Sequence, residues 1–390
     1  MHIAIDALLI YGEFSGVQHT IVHQIRGLLN RNTRHHFTII ALEDVQLPAI
    51  LGTTRQPYSI LRAPVASEQR LWRLIWQQVT MPERLHTMGI DVLYAPGYLA
   101  PLRWQGASVV FIHDTIALSH PELCTLSNAL NYRLLLPPTA RKATCVVVPS
   151  QASAQDVMHY CGVDPARIQV VPLGVAPPPA LSPSDVAVTR EKLQLPQQYI
   201  LAVSTIEPKK NHDNLIRWFT AWKEAGIPHH LVIAGKWGWK TEAVRQALQD
   251  SPYQAYIHFP GYLPQHELPA LMRGADLLVM PSRYEGFGLP VLEAMAVGTP
   301  VVVSDRGALP ETVGDAGVIL PLEDAAWQKT IPHLLQDTPS LSAFRAKGLL
   351  RAGEHTWQRT ADQLMTIIEA VAPPERERRY RAADVKVDYE

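Results

Sequence analysis

Short apolar runs alternate with longer amphipathic segments along the chain. The first half contains HIAIDALLI, HFTIIALE, DVLYA, SVVFIHD, TCVVVPS and IQVVPLGV, and the second half contains YILAVST, HHLVIAG, IHFPGY, LLVMPS, PVVVSD and GVILPL. Such runs are typical of parallel strands buried on both faces, with the amphipathic segments folding as covering helices. The pattern therefore predicts an α/β protein with two Rossmann-like, doubly wound parallel sheets.

A proline-rich stretch separates the two series of strands. APPPALSPSD contains four prolines, which suit a semi-rigid linker better than a helix interior or a central strand. We predict an N-terminal domain over residues 1–175, a linker over residues 176–186 and a C-terminal domain over residues 187–354. A chain of 390 residues is long enough for two such cores.

The C-terminal region follows a different pattern. HTWQRTADQLMTIIEAV places apolar side chains at helical spacing, which predicts a helix over residues 355–372 that packs on another element. Residues 373–390 are densely charged, with acidic and basic residues interleaved, which predicts a solvated tail.

Composition excludes several classes of protein. The 35 basic and 36 acidic residues give a formal charge of −1, which argues against a broad nucleic-acid surface. No apolar stretch approaches the ~20 residues that span a bilayer. The three cysteines show no metal-ligand spacing, and no Asp-x-Asp triplet occurs. We therefore expect a cytoplasmic protein without a metal site.

The stretch PSRYEGFGLPVLEAMAVGTPVV, which follows the run LLVM, carries the densest chemistry. Two glycines and Pro290 predict a tight turn that opens a helix, where exposed backbone N–H groups attract phosphate. Glu285 and Glu293 flank that turn, and Glu293 is placed to accept hydrogen bonds from sugar hydroxyls. The pattern predicts a nucleotide-sugar site. The alternative is that both carboxylates merely favour the start of a helix.

Other candidate residues follow strands at their carboxyl ends. Lys209 and Lys210 come after YILAVST, where two cations would neutralise charge that develops on a departing diphosphate. The alternative is a pair of exposed lysines at the start of a helix. His113 is the next-to-last residue of SVVFIHD and could orient a sugar hydroxyl, or it could serve only as a structural partner of Asp114. Gly16 lies in a glycine-bearing loop after the first strand, where a simple turn is the alternative.

The segment SEQRLWRLIWQQV at residues 67–79 has a broad apolar face with arginines beside it. Packing against the core is the common reason for such periodicity. A helix that lies on a membrane surface is the alternative.

The motif PSxxEGFGLPxLEAMAxGTPVV resembles the signature of the retaining glycosyltransferases of family four, which have the GT-B fold. The resemblance implies that Glu293 binds the donor ribose and that Glu285 lies beside the transferred sugar. It implies contacts to the diphosphate and the sugar from Gly286, Phe287, Gly288 and Leu289. His113, Glu285 and Lys210 are implied as catalytic residues, with His113 touching the donor sugar. Gly16 corresponds to a glycine in a loop that borders the cleft.

The sequence departs from the family at Thr205, where many members have an arginine. In a subgroup with the pattern Glu-Pro-basic-Lys-Asn, which is mannosyltransferase-like, we expect Lys209 or another cation to supply the missing charge. In this family the last helix crosses back to the N-terminal domain, so the resemblance implies the same for residues 355–372.

The resemblance implies a metal-independent, retaining hexosyltransferase with no cofactor besides its donor. We expect a nucleoside diphosphate sugar, best matched by GDP-mannose, and a glycan or polyprenyl-linked acceptor in assembly of a bacterial surface polysaccharide such as O-antigen. Peripheral contact with the inner face of the membrane is an alternative to a freely cytoplasmic location. The rival functions are a sugar-nucleotide epimerase and a catalytically silent GT-B binding module. A dehydrogenase is disfavoured because neither domain opens with GxGxxG.

Overall fold

The computed structural model describes residues 1–374, so the predicted tail lies outside the described residues except for its first two positions. The chain divides into two compact units. The first comprises residues 1–119, 126–173 and 357–374, and the second comprises residues 120–125 and 174–356. Each unit is an α/β fold built on a parallel sheet.

The first unit holds a seven-stranded sheet in the order β3-β2-β1-β4-β5-β6-β7, with all neighbours parallel. The strands are β1 (His2–Asp6), β2 (His36–Leu42), β3 (Tyr58–Ala63), β4 (Val92–Ala95), β5 (Ala107–Phe111), β6 (Cys145–Val148) and β7 (Ile168–Val170). The helices are α1 (Gly16–Leu29), α2 (Leu47–Leu51), α3 (Arg70–Thr87), α4 (Ile116–Ser119), α5 (Leu126–Lys142) and α6 (Gln151–Asp156). The strand order reverses between β1 and β4, which is where ligands of such sheets bind.

The second unit holds a six-stranded sheet in the order β10-β9-β8-β11-β12-β13, also parallel throughout. The strands are β8 (Tyr199–Val203), β9 (His230–Ala234), β10 (Ile257–Gly261), β11 (Leu277–Met280), β12 (Val301–Ser304) and β13 (Val318–Leu320). The helices are α7 (Pro183–Lys192), α8 (His212–Glu224), α9 (Glu242–Asp250), α10 (Leu268–Arg273), α11 (Leu289–Ala296), α12 (Leu309–Val313), α13 (Asp324–Gln336) and α14 (Thr338–Glu354). Here the order reverses between β8 and β11.

The last helix, α15 (Trp357–Val371), belongs to the first unit, although the sequence before it belongs to the second. The Trp357 ring stacks on His23 of α1 with centroids 4.8 Å apart. At Gly27 of α1, a Cβ atom would lie 2.7 Å from the Cβ of Ala361, so the two helices pack closely because Gly27 has no side chain. The buried residues of α15 are thus core residues of the first unit.

Three details differ from the sequence-based expectations. The edge strand β3 was not predicted, since most residues of YSILRA are half-buried or exposed and the strand pairs with β2 alone. The predicted linker contains the start of α7, because Ser182 caps that helix and accepts a hydrogen bond from the Asp185 backbone. Pro183 occupies its first turn, the one helical position that proline favours.

The third difference concerns α3, for which core packing was the favoured explanation. Trp76 is buried, but Leu71, Trp72, Ile75 and Val79 are 67%, 62%, 40% and 51% exposed. Most of the apolar face of α3 therefore lies on the surface of the described structure, and the prediction of core packing was wrong for it. No helix within residues 1–374 is both long and apolar enough to cross a bilayer.

Candidate active site

The reversal between β8 and β11 brings two loops together that are 75 residues apart in sequence. Lys210, in the 3₁₀ turn that follows β8, donates to Glu285 Oε1 across 2.5 Å. Ser282 Oγ, from the loop after β11, donates to the same oxygen across 2.7 Å. Glu285 is 7% exposed. The structure thus joins two of the three predicted catalytic residues in one buried ion pair.

The charge state of Glu285 follows from these neighbours. Burial alone would raise the pKa of this carboxyl, but the positive charges of Lys210 and Lys209, with the hydrogen bonds from Lys210 and Ser282, lower its pKa overall. Lys209 Nζ also lies 3.9 Å from Glu207, a buried carboxylate. Two lysines therefore face two carboxylates, and Glu285 is held ionised at neutral pH.

The glycine-bearing turn has the geometry that the sequence predicts. Gly288 has φ +102° and caps α11, which begins at Leu289. A Cβ on Gly288 would lie 2.7 Å from a methyl group of Leu309, so both the backbone and the space require glycine. The N–H groups of a first helical turn have no carbonyl partner within the helix. Gly286 and Phe287 lead into this turn, and the Phe287 carbonyl accepts from Thr312 Oγ1 across 2.6 Å.

Glu293 lies on α11, one turn after this start. Its Oε1 accepts from Gln265 Nε2 across 2.9 Å. Burial raises the pKa of Glu293, and the bond from Gln265 opposes that effect. A partly buried carboxyl with one amide partner retains lone pairs that can accept from the vicinal hydroxyls of a ribose.

Thr205 occupies the loop after β8, where the resemblance implies an arginine in other members. The loop is shaped by close backbone contact, because a Cβ on Gly235 would lie 1.9 Å from the Ser204 carbonyl oxygen. Arg283 is near in sequence to Glu285, but its Nε donates to Asn211 Oδ1 across 3.0 Å and its Nη2 faces Asp213. The lysine charge that lowers the pKa of Glu285 comes from Lys210 and Lys209.

His113 and Gly16 lie in the first unit. His113 follows β5, is 7% exposed, and its Nε2 lies 2.7 Å from the Pro96 carbonyl oxygen. Because burial lowers the pKa of His113 to about 4, the ring is neutral near pH 7. Nε2 must then carry the proton that the carbonyl accepts, which leaves Nδ1 as the acceptor. Gly16 is the first residue of α1, after the N-cap Ser15.

Two sequence profiles match this chain. The profile "Glycosyltransferase Family 4" matches residues 14–177, and "Glycosyl transferases group 1" matches residues 186–350. The O-antigen chain mannosyltransferase B of Escherichia coli is 30% identical over 276 residues, which cover 70% of this chain and 72% of that protein. The chain belongs to the family-four glycosyltransferases. Its resemblance to a mannosyltransferase-like subgroup is thereby confirmed.

A further relative and two solved structures are also similar to this family-four glycosyltransferase. The MMP alpha-(1->4)-mannosyltransferase of Mycolicibacterium hassiacum is 31% identical over 237 residues, covering 59% of this chain and 55% of that protein. Among solved structures, Anabaena HepE in complex with UDP and glucose superposes with a TM-score of 0.74 at 19% identity, covering 95% of this chain and 100% of that one. WaaG, a glycosyltransferase involved in lipopolysaccharide biosynthesis, gives 0.73 at 18% identity, with 94% and 99% covered. These likenesses confirm the GT-B fold.

Several residues around the family-four motif were not singled out from the sequence. Ser282, Glu207 and Gln265 each bond to or lie beside a predicted site residue. Gly307 supports Glu285 from the loop after β12, where the Ala308 N–H donates to the Glu285 carbonyl across 2.9 Å. Ser282 lies three residues before Glu285, and Glu207 precedes Lys209 in the Glu-Pro-basic-Lys-Asn pattern, so each had a local signal. Gln265 and Gly307 come from distant segments, so no local pattern marks them.

Proposed function

We propose that this family-four enzyme is a retaining hexosyltransferase that uses a nucleoside diphosphate sugar, with GDP-mannose as the best match. The acceptor we propose is a glycan or polyprenyl-linked glycan of a bacterial surface polysaccharide. The observation that carries the donor site is the buried Lys210–Glu285 pair beside the first turn of α11. The relationship to an O-antigen chain mannosyltransferase supports the sugar and the pathway class.

The proposed chemistry is mainly electrostatic. Lys209 and Lys210 would interact with the departing diphosphate as well as with the two carboxylates. Their positive charge would stabilise the leaving group without a resident metal. The helix start at Leu289 would face the same phosphates. Glu285, kept ionised by the lysines, would accept hydrogen bonds from the sugar, and His113 Nδ1 would accept from a second hydroxyl. Retention of configuration is inherited from the family.

A panel of GDP-, UDP-, ADP- and TDP-sugars, tested by thermal shift, examines the donor proposal. A ligand that binds only the native state raises the melting temperature by mass action. We expect the largest shift with GDP-mannose. Incubation with the selected donor then separates the rivals, since a transferase releases nucleotide only when an acceptor is added. An epimerised donor, or binding without turnover, would contradict transfer.

Replacing Glu293 by Gln is expected to weaken donor affinity by about 10- to 100-fold, because one charge-assisted hydrogen bond to the ribose is worth about 1.5–3 kcal/mol. The Gln side chain keeps the oxygen that accepts from Gln265, so the fold is retained. Titration calorimetry with the selected nucleotide measures the effect. Glu191→Gln, at an exposed position of α7, is the matched control. Equal affinities for the two variants would remove Glu293 from the site.

We also propose peripheral contact of the first unit with an anionic membrane surface. The same unit carries a second exposed apolar row on α5, where Leu126, Leu130 and Leu134 are 87%, 60% and 63% exposed. Arg70 at the start of α3 bonds to Asn128 of α5, so the two helices meet at their N-terminal ends. Helix α5 contains Arg133, Arg141 and Lys142 and no acidic residue. Exposed leucines with cationic neighbours suit anionic lipid.

Vesicle sedimentation checks this contact. The protein is expected to pellet with phosphatidylglycerol vesicles and less with phosphatidylcholine vesicles. The double change Leu71→Ser and Trp72→Ser should reduce the binding at least about tenfold, since each large apolar side chain contributes about 1.5–3 kcal/mol when fully buried. Leu350→Ser on α14, at a 75% exposed position, is the control and should bind like the wild type. A wild type that stays in the supernatant would contradict the proposal.

A further inference from the structure

Arg283 joins the two loops of the second unit that carry the proposed donor site. Its backbone N–H donates across 2.7 Å to the carbonyl of Lys209, in the turn Pro208–Lys210, which we call the lysine turn. Its Nε donates to Asn211 Oδ1 across 3.0 Å, and its Nη2 lies 3.3 Å from a carboxylate oxygen of Asp213. Arg283 therefore ties the loop after β11 to the lysine turn and to the start of α8.

Asn211 is the residue through which the Arg283 side chain acts on the lysine turn. It directly follows Lys210, is the N-cap of α8, and has a left-handed backbone with φ +62°. The residue is 1% exposed, and its Oδ1 also accepts from Asn214 Nδ2 across 3.0 Å. Asparagine tolerates this backbone conformation, but the surrounding structure has to hold it there. The bond from Arg283 helps to fix the point where the lysine turn ends and α8 begins.

The contribution of Arg283 is one of geometry more than of stability. Its side chain is 37% exposed, and an ion pair that is open to water, such as the one with Asp213, contributes little to folding. The bond to Asn211 differs, because that amide is buried and the donors around it set its orientation. Loss of the guanidinium is therefore expected to release the lysine turn without unfolding the unit.

The place of Lys210 is important because Thr205 lies where the family resemblance implies an arginine. A lysine carries a compact charge on a flexible stem, so the backbone beneath it decides where that charge lies. Loss of the Arg283 side chain leaves the backbone bond to Lys209 intact. It frees Asn211, the neighbour of Lys210, so the second lysine of the turn is the one that moves.

We propose that Arg283 is a positioning residue of the proposed donor site: by bonding to Asn211, it sets where Lys210 presents its charge to the diphosphate. Arg283 itself makes no bond to the donor. This role rests on the proposed function, because that function assigns the diphosphate to the lysine turn. It makes the residue two positions before Glu285 necessary for a charge that lies 73 residues earlier in the chain.

A double-mutant cycle with inorganic pyrophosphate tests this role, since pyrophosphate carries the diphosphate charge without a base or a sugar. Dissociation constants come from ³¹P NMR titrations of the full chain. Arg283→Met should weaken binding about tenfold, which is the effect of one misplaced charge-assisted hydrogen bond. In a Lys210→Met background the same change should cost less than about twofold, because an absent lysine cannot be misplaced. If Lys210→Met does not fold, Glu285→Gln is added to both backgrounds.

Arg217→Met is the matched control. Arg217 faces the same Asp213 carboxylate at 3.5 Å and is 57% exposed, but it lies on α8 and bonds to Asn214. This variant should bind pyrophosphate like the wild type. Arg283→Lys keeps the charge but loses the planar fork that reaches Asn211 and Asp213 together. It should bind as weakly as Arg283→Met, and it replaces that variant if Arg283→Met does not fold.

Three results would overturn the role of Arg283. They are a wild type that does not bind pyrophosphate, unchanged affinity in Arg283→Met, and an equal loss in both backgrounds, which would show that Arg283 touches the anion itself. A purely structural arginine would lower the melting temperature and leave the affinity unchanged, so all titrations are made well below the melting temperatures.

Transfer with the donor panel is measured on the same proteins and separates this role from the proposed function. Sugar transfer by the wild type, beside unchanged pyrophosphate affinity in Arg283→Met, overturns the positioning role and leaves the transferase function standing. Absence of transfer with every donor, beside a cycle with the expected coupling, counts against the function and leaves the positioning role in place.

Discussion

Replacing Lys210 by Met is expected to reduce sugar transfer by about 10²- to 10³-fold, because it removes a preorganised positive charge from the departing diphosphate. It should also lower the free energy of unfolding by about 3–5 kcal/mol, since Glu285 would stay buried without its ion partner. Initial rates with saturating donor and chemical denaturation at pH 7 measure the two effects.

The pH dependence of stability is a second measure of the Lys210–Glu285 ion pair. The lowered pKa of Glu285 in the wild type stabilises the fold above the ordinary glutamate range, and this contribution is lost as pH falls through the folded pKa. In the Lys210 variant the burial that raises the pKa of Glu285 is less opposed. The difference in unfolding free energy between wild type and variant should therefore shrink in acid.

The double variant Lys210→Met with Glu285→Gln separates folding from catalysis. Removing both charges should restore most of the lost stability but none of the transfer. Lys192→Met is the matched control, since Lys192 also pairs with a glutamate, Glu267, at 2.7 Å but is 60% exposed. That surface pair contributes about 0–1 kcal/mol, so its loss should leave transfer unchanged. A Lys210→Met enzyme that keeps a third of wild-type activity would remove this lysine from the diphosphate site.

The sheets of this protein were predictable because their strands are buried on both faces. A strand such as β11, LLVM, is apolar at every position and stands out without any tertiary information. Strand β3 does not, because most residues of this edge strand are half-buried or exposed and its register comes from β2. The start of α7 is hard to predict for a related reason, since prolines surround it and only the cap at Ser182 marks it.

The candidate donor site was predictable where its chemistry is contiguous in sequence. Glu285, the glycine turn and Glu293 lie within nine residues, and the two lysines directly follow a strand. The partners of these groups come from elsewhere, and only the strand order brings β8 beside β11.

Gly307→Ala is expected to reduce transfer by about 10²-fold, although residue 307 lies outside the motif. Gly307 has φ +58°, and a Cβ there would lie 2.2 Å from the Glu285 carbonyl oxygen and 2.9 Å from its backbone nitrogen. Both contacts are backbone atoms that cannot rotate away, so Glu285 itself must move, and a displacement of about 1 Å can cost about 10²-fold in rate.

Gly162→Ala is the control, because Gly162 has φ +66° and no atom lies within 4 Å of a Cβ there. It bears the cost of the left-handed backbone, about 1 kcal/mol, without touching the site. Initial rates of both variants, measured well below their melting temperatures, separate loss of geometry from loss of stability, and equal rates would show that Glu285 does not depend on this support.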